Sequence, residues 1–224
     1  MKIGVRLAVS SILGIAAYAL VLFVPAGTIR YWQGWVFISI FTVVSIIPTI
    51  YLARKHPAAL QRRMHAGPQA ESRTAQKIIS AGAFGILFVI MAFSAFDHRM
   101  GWSTVPVWLC LVGVVLIAAG LGLSMRVIIE NSYAAATVTV EEGQKVASEG
   151  LYKSIRHPMY AGNVIMMVGM PLALGSYWAL LLIIPGVALL VLRILDEEKL
   201  LYTELPGYRE YAEHVPYRLL PNVW

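Results

Sequence analysis

The chain has 224 residues, of which 58% are hydrophobic and only 13% are charged. A soluble domain carries roughly 25% charged residues, so this composition indicates an integral membrane protein. The formal net charge of +6 could point to nucleic acid, but the placement of the basic residues gives a different explanation below. The single cysteine, Cys110, lies in an apolar run, and it excludes an intramolecular disulfide.

Four apolar segments in the first half of the chain are predicted to be transmembrane helices. They run near Val5–Val24, Trp35–Ala53, Ile78–Phe96 and Val105–Leu123. The first of them also contains Ala17-Tyr18-Ala19, which resembles the cleavage site of a secretory leader. Its length matches the roughly 20 residues that span a bilayer, and we therefore expect a retained helix.

A fifth apolar segment, Asn163–Leu192, contains no ionisable residue. As one straight helix it would be roughly 45 Å long, whereas the hydrocarbon core of a bilayer is roughly 30 Å thick. Pro171, Gly175 and Ser176 favour a break near Leu174–Tyr177. The segment is therefore predicted to form a helical hairpin of two short or tilted spans.

The basic residues support this number of spans. With six spans, all but two of the 18 Lys and Arg residues fall on one side of the membrane; the exceptions are Arg30 and Arg99. The positive-inside rule makes the basic side cytoplasmic, with both termini on that side. The predicted fold is an all-α integral membrane bundle of about six transmembrane helices (five to six), the last two forming a hairpin. The basic charge thus reflects orientation, and no nucleic-acid partner is predicted.

Two polar segments connect the spans on the predicted cytoplasmic side. Arg54–Lys77 is predicted to be an interfacial connector that lies along the lipid head groups. Arg126–Arg156 is too polar to span the membrane and could form a lid. We predict two regions, residues 1–125 as a four-helix membrane region and residues 126–224 as a catalytic region with lid, hairpin and C-terminal tail.

Two ionisable blocks flank the predicted hairpin. Arg156-His157-Pro158-Met159-Tyr160 precedes it, and Arg193, Glu197 and Glu198 follow at its far end. Ionisable groups in or near lipid are costly and usually functional. A hairpin brings its start and its end together, so the two blocks are predicted to form one site at the cytoplasmic face.

This combination of side chains indicates a ligand of mixed charge. The site offers cations for a carboxylate, carboxylates for an ammonium group or ribose hydroxyls, and the rings of Tyr152 and Tyr160 for a cation or a purine. S-adenosylmethionine carries all of these features, and it is the predicted cofactor. The sequence contains neither GxGxxG nor GxxxxGK[ST], the fingerprints of soluble nucleotide-binding domains.

The same region resembles a known superfamily. The stretch 150–162, GLYKSIRHPMYAG, the spacing Arg193-x-x-x-Glu197-Glu198-x-x-Leu201 and the pair Tyr208-x-x-Tyr211 are similar to the signature of the isoprenylcysteine carboxyl methyltransferase and phospholipid N-methyltransferase superfamily. The resemblance covers roughly residues 137–221. It implies a membrane-embedded methyltransferase that uses S-adenosylmethionine.

Site residues are carried over from this resemblance by position. The residues implied to bind the cofactor are Gln144, Lys145, Val146, Ala147, Tyr152, His157, Pro158, Met159, Tyr160 and Glu197. Arg193 matches the arginine that holds the methyl-accepting substrate. His157 and Glu198 are candidate bases for an acceptor that must lose a proton. No metal site is predicted.

The sequence leaves the methyl acceptor open. A carboxylate of an isoprenylcysteine-type substrate is favoured, because a carboxylate is already nucleophilic at neutral pH and Arg193 could hold it. An amine of a phospholipid or of another lipophile is the alternative. A membrane reductase that uses NADPH is a second alternative, because sterol reductases resemble the same C-terminal motif. A non-enzymatic membrane subunit is the third. The expected partners are a lipophilic acceptor and membrane lipids.

Overall fold

A computed structural model describes residues 3–64, 68–71, 73–131, 133, 139–140 and 143–224. Within these residues, all regular secondary structure is helical. The α-helices are α1 (Ile3–Ala26), α2 (Trp32–Lys55), α3 (Pro57–Met64), α4 (Thr74–Met100), α5 (Val107–Glu130), α6 (Pro158–Ala173), α7 (Ile183–Glu204) and α8 (Tyr208–His214). Short 3₁₀ segments lie at Pro68–Ala70, Gly150–Lys153 and Trp178–Leu182.

The long helices form a bundle whose outside is apolar. Four stretches are long and apolar enough to cross a membrane, namely α2, α4, α5 and the continuous segment Trp178–Glu204, and the described part of α1 adds a shorter apolar helix. Large apolar side chains such as Ile47, Val115 and Ile184 are exposed. Exposed apolar surface of this extent is typical of a face embedded in lipid. The chain is an integral membrane protein, and its six longest described helices correspond to the six predicted spans.

The predicted hairpin is confirmed, with its break where the sequence indicates it. Pro158 occupies the first turn of α6, where its missing N–H costs nothing. The helix ends at Ala173, and Gly175 adopts a φ of +77°, a conformation that favours glycine. At 16 residues, α6 is the shortest of the six long helices. The far arm continues as α7 to Glu204, just before Pro206 and Gly207.

A buried carboxylate fixes the turn of the hairpin. Asp97, near the end of α4, is fully buried and accepts hydrogen bonds from the hydroxyl groups of Ser176 and Ser103. Its Oδ1 atom accepts a further bond from the backbone N–H of Ser103 at 2.9 Å. The Tyr31 hydroxyl donates to the carbonyl oxygen of Leu174 at 2.5 Å. The turn is thereby joined to α2, to α4 and to the loop after α4.

Glycines bring α5 and α6 into backbone contact. Gly113 and Gly120 lie seven residues apart on α5, and Gly162 and Gly169 lie seven residues apart on α6. A Cβ atom at Gly169 would lie 2.7 Å from the carbonyl oxygen of Gly113, and one at Gly162 would lie 2.7 Å from that of Gly120. Small residues let membrane helices approach this closely. The contact holds the start of α6, and hence the Arg156–Tyr160 block, against the bundle.

We expect Gly169→Ala to destabilise the bundle, because the added Cβ would clash with backbone atoms of α5, and these atoms can move only if the helix moves. Overpacking of this kind costs about 1–3 kcal/mol. Gly122→Ala is the matched control, since no atom lies within 4 Å of a Cβ at that position of α5. Thermal unfolding in detergent should show a lower midpoint for Gly169→Ala and an unchanged or higher one for Gly122→Ala. Equal midpoints would contradict the close contact.

Candidate functional site

The two polar blocks meet at the mouth of the hairpin. The Tyr160 hydroxyl, in the first turn of α6, donates a hydrogen bond to Oε2 of Glu197 at 2.6 Å. The same hydroxyl accepts a hydrogen bond from Nε of Arg193 at 2.9 Å. Arg193 and Glu197 are four residues apart on α7, so both face Tyr160. The predicted convergence of the two blocks is therefore present in the structure.

Glu198 is the centre of a buried polar cluster behind this contact. Its Oε1 atom accepts from Nε of Arg156 at 2.7 Å and lies 3.3 Å from Nε2 of His157. Its Oε2 atom accepts from Nε of Arg218 at 2.8 Å, and the Tyr208 hydroxyl lies 3.4 Å from Oε1. Only 3% of Glu198 is exposed. This one carboxylate connects α7 with the start of α6, with α8 and with the C-terminal tail.

The tail is also held by backbone contacts. The N–H of Arg156 donates to the carbonyl oxygen of Tyr217 at 2.9 Å, and the N–H of His157 donates to that of Arg218 at 2.9 Å. The Arg156 guanidinium donates to the carbonyl oxygen of Val215 at 2.8 Å. The first turn of α6 would otherwise leave these N–H groups without partners. The sequence did not predict that the tail past α8 packs against the start of α6.

A mixed polar and aromatic pocket opens beside the cluster. All ten residues predicted to bind the cofactor line it: Gln144, Lys145, Val146, Ala147, Tyr152, His157, Pro158, Met159, Tyr160 and Glu197. Arg156, a member of the first predicted block, lines the pocket as well. The lining residues that sequence reasoning did not assign to it are Asn131, Tyr133, Thr139, Leu201, Leu205, Tyr208 and Tyr211. Several of these come from the predicted lid; residues 132, 134–138 and 141–142 of that segment lie outside the described residues.

Hydrogen bonds fix the aromatic wall of this pocket. The Tyr152 hydroxyl accepts from Nδ2 of Asn131 at 3.1 Å, and the Tyr211 hydroxyl donates to the carbonyl oxygen of Tyr152 at 2.8 Å. Burial raises the pKa of Tyr152 to about 12, and it raises the pKa values of Tyr208 and Tyr211 as well. All three phenols are therefore neutral at physiological pH, and they present rings and O–H groups to the pocket.

A second cavity, of about 440 Å³, lies among the long helices and is mainly apolar. Its wall includes aromatic and methionine side chains, among them Phe37, Phe41, Phe84, Phe88, Met166 and Met170. Met159, Tyr160 and Arg193 lie at its polar end. Met159 and Tyr160 also line the first pocket, so these two side chains stand between the two spaces.

The three predicted catalytic residues occupy different places. His157 lines the first pocket, and Arg193 lines the apolar cavity. Glu198 lines neither, since both of its oxygens face Arg156, His157 and Arg218. Of the two adjacent glutamates, Glu197 is the one that faces the first pocket.

Arg193 is held by residues from the first half of the chain. Its Nη2 atom lies 2.8 Å from Oε1 of Glu71, and its Nη1 atom donates to Oε1 of Gln76 at 3.0 Å and to the hydroxyl of Ser80. Sequence reasoning missed all three. Glu71 lies in the connector predicted to follow the head groups, yet it is only 3% exposed.

A second ion pair attaches the connector to α7. Nη2 of Arg73 lies 2.8 Å from Oδ2 of Asp196, and Nε2 of Gln76 donates to the same oxygen at 2.6 Å. The connector thus folds against the site instead of lying wholly along the head groups. Glu71 and Arg73 lie in a polar segment whose hydropathy does not distinguish buried from exposed charges. The sequence therefore could not indicate that this segment contacts α7.

Comparisons with known proteins find relatives of the segment that contains this site. Residues 108–205 match the model of the family described as phospholipid methyltransferase, and this match confirms the resemblance predicted from the motif. The matched segment contains α5, α6 and α7 with Tyr160, Arg193 and Glu197.

The chain is also similar to the delta(14)-sterol reductase of Mus musculus. The two proteins are 31% identical over 91 residues, which are 39% of this chain and 22% of the reductase. The chain therefore matches about a fifth of the length of that relative.

Proposed function

We propose that this integral membrane protein transfers a methyl group from S-adenosylmethionine to a lipid-like acceptor. The match of residues 108–205 to the phospholipid methyltransferase family supports this proposal. One observation carries the proposal. A polar, aromatic pocket and an apolar intramembrane cavity meet at Met159 and Tyr160. Such a pair suits a reaction between a water-soluble donor and a lipophilic acceptor.

The side chains of the first pocket fit this cofactor. Glu197 offers a carboxylate to an ammonium group or to ribose hydroxyls, and the exposed Lys145 offers a cation to the carboxylate of the amino-acid end. The rings of Tyr152 and Tyr160 can contact a sulfonium or an adenine. The remaining predicted cofactor residues, from Gln144 to Ala147 and from His157 to Met159, form the walls between these groups.

The apolar cavity is the proposed acceptor site. Its wall comes largely from α2 and α4 together with α6 and α7, and α1 and α5 make smaller contributions. This supports a functional division near residue 125, in which residues 1–125 supply much of the acceptor cavity and residues 126–224 supply the cofactor pocket. The acceptor would enter from the bilayer, and the cofactor from the cytoplasmic side on which the basic residues collect.

Little acid–base chemistry is required of the protein. When bound, S-adenosylmethionine supplies a methyl group whose bond to sulfur breaks with its electron pair left on sulfur, while an acceptor lone pair forms the new bond to carbon. The protein would contribute alignment and exclusion of water, worth up to about 7–11 kcal/mol. His157 is the proposed base where the acceptor must lose a proton. Glu198, held by two arginines, would position His157 and the start of α6.

We expect the purified protein in lipid bilayers to transfer label from methyl-labelled S-adenosylmethionine to an apolar molecule in a host lipid extract. The product should gain the mass of one methyl group, which mass spectrometry measures. Gly122→Ala, which lies away from both cavities, should keep this activity. A protein that binds the cofactor but labels nothing in any lipid extract would contradict the proposal.

A membrane reductase is the second candidate, and the similarity to the sterol reductase is the observation that favours it. NADPH carries a pyrophosphate and a further phosphate, and such groups need several cations. Among the described residues of the pocket, Lys145 offers one cation, Arg156 is already paired with Glu198, and Glu197 adds a negative charge. The pocket therefore suits a cationic sulfonium cofactor better than a polyanionic one.

A further inference from the structure

We propose that Glu71 determines acceptor specificity. By pairing with Arg193 at the polar end of the apolar cavity, Glu71 directs that cavity to acceptors whose methyl-accepting end carries no negative charge. This inference rests on the proposed function, because it concerns the acceptor of the same reaction. The carboxylate acceptor that the sequence favours would need Arg193, and the contacts of Arg193 lead to a different head group.

Each of the three nitrogens of the Arg193 guanidinium has a partner within the protein. Nη2 pairs with Glu71 at 2.8 Å, Nη1 donates to Gln76 and Ser80, and Nε donates to the Tyr160 hydroxyl at 2.9 Å. Among the cavity-lining residues that the structure describes, Arg193 is the one that carries a charge. An anionic head group would therefore find its possible counter-ion already neutralised.

An incoming anion would not easily displace Glu71 from Arg193. It is 3% exposed, and its Oε1 atom also accepts a hydrogen bond from the Ser80 hydroxyl at 3.1 Å. To displace it, a carboxylate or phosphate would have to break a buried ion pair and leave the Glu71 carboxylate buried without its counter-ion. An incoming anion would thus replace one buried charge with another and gain no net attraction.

The charge balance where the two cavities meet also opposes an anion. Arg193 contributes one positive charge, and Glu71 and Glu197 contribute one negative charge each. Glu197 is joined to this end of the cavity through the Tyr160 hydroxyl, at 2.6 Å. An anionic acceptor group would add a third negative charge beside one guanidinium, and it would therefore be repelled.

A neutral polar group is available beside this network. Asn163 also lines the cavity. It follows Tyr160 by three residues and Met159 by four, so the three side chains share one face of α6. The side-chain amide of Asn163 has no hydrogen-bond partner within the described part of the chain. Its N–H and C=O groups can therefore bind a hydroxyl, an amine or an amide of the acceptor.

The test uses two lipids that differ only at the end. N-oleoylglycine ends in a carboxylate, N-oleoylethanolamine ends in a hydroxyl, and both share the same chain and amide. Their dissociation constants would be measured calorimetrically on the protein in phosphatidylcholine nanodiscs, with empty nanodiscs as the blank. Because the readout is binding, the result does not depend on methyl transfer, and a failure of the proposed function would appear separately in the transfer assay.

We expect the native protein to bind the ethanolamide at least about tenfold more tightly than N-oleoylglycine. Glu71→Gln removes the counter-ion of Arg193, and it should tighten N-oleoylglycine binding by about tenfold while the ethanolamide changes little. Glu213→Gln, which removes the same charge from an exposed position on α8, should keep the native ratio. Equal binding of both lipids by the native protein, or a native ratio in folded Glu71→Gln, would overturn the proposal.

The double variant Glu71→Gln with Arg193→Gln decides the matter if Glu71→Gln alone does not fold. It lacks both members of the ion pair, so no uncompensated buried charge remains. It should continue to bind N-oleoylglycine weakly, because the cavity then contains no cation. Tighter N-oleoylglycine binding by this double variant than by the native protein would also overturn the role of Glu71.

Discussion

Glu198→Ala is expected to cause the largest loss of stability of any single substitution at this site. The side chain of Glu198 is 4% exposed, and its carboxylate is the shared acceptor for Arg156 and Arg218. Removal of one partner of a buried ion pair costs about 3–5 kcal/mol, because the other charge stays buried without compensation. Native proteins have only about 5–15 kcal/mol of stability in total. We therefore expect the tail and α8 to detach from the start of α6.

Thermal unfolding in detergent and limited proteolysis of the C-terminal tail measure this effect. Glu204→Ala is the matched control, because Glu204 is exposed at the end of the same helix. Glu198→Ala should unfold at a clearly lower temperature and expose the tail to protease, whereas Glu204→Ala should behave like the native protein. An unchanged unfolding temperature for Glu198→Ala would refute the assignment of Glu198 as the centre of the cluster.

Glu197→Gln is expected to have the opposite profile, with a retained fold and a loss of cofactor binding. Glu197 lines the first pocket, and the neutral amide keeps the shape of the side chain and a hydrogen bond to Tyr160. A hydrogen bond to a charged group contributes about 1.5–3 kcal/mol. The affinity for S-adenosylhomocysteine, which retains the ammonium group and the ribose, should therefore fall about 10- to 100-fold.

Isothermal titration with S-adenosylhomocysteine measures this loss, and the unfolding temperature shows that the fold is intact. Glu204→Gln, with the same change in charge on the same helix, should bind like the native protein. If Glu197→Gln binds as tightly as the native protein, Glu197 does not contact the cofactor. The two adjacent glutamates would then need another division of roles.

The helical framework and the residues that line the first pocket could be predicted from local sequence features. The hydropathy of each span, the excess length of Asn163–Leu192 and the helix start at Pro158 are properties of short stretches, and each reappears in the structure. The convergence of Tyr160 with Glu197 followed from the hairpin alone. These features need no knowledge of how distant helices pack.

The surroundings of Arg193 could not be predicted, because they depend on which helix faces meet. Glu71 and Ser80 are separated from Arg193 by more than a hundred residues along the chain, and hydropathy does not specify their contact. The backbone contact between Gly113 and Gly169 depends in the same way on the relative rotation of two uniformly apolar helices. Such helices show little periodicity from which a buried face could be identified.

The proposed function requires that the first pocket bind a sulfonium-type methyl donor and not a nicotinamide nucleotide. The most direct test is a calorimetric titration of the purified protein with S-adenosylhomocysteine and, separately, with NADPH. We predict saturable binding of S-adenosylhomocysteine, weakened in Glu197→Gln, and no binding of NADPH under the same conditions. Saturable binding of NADPH without binding of S-adenosylhomocysteine would contradict the proposed function.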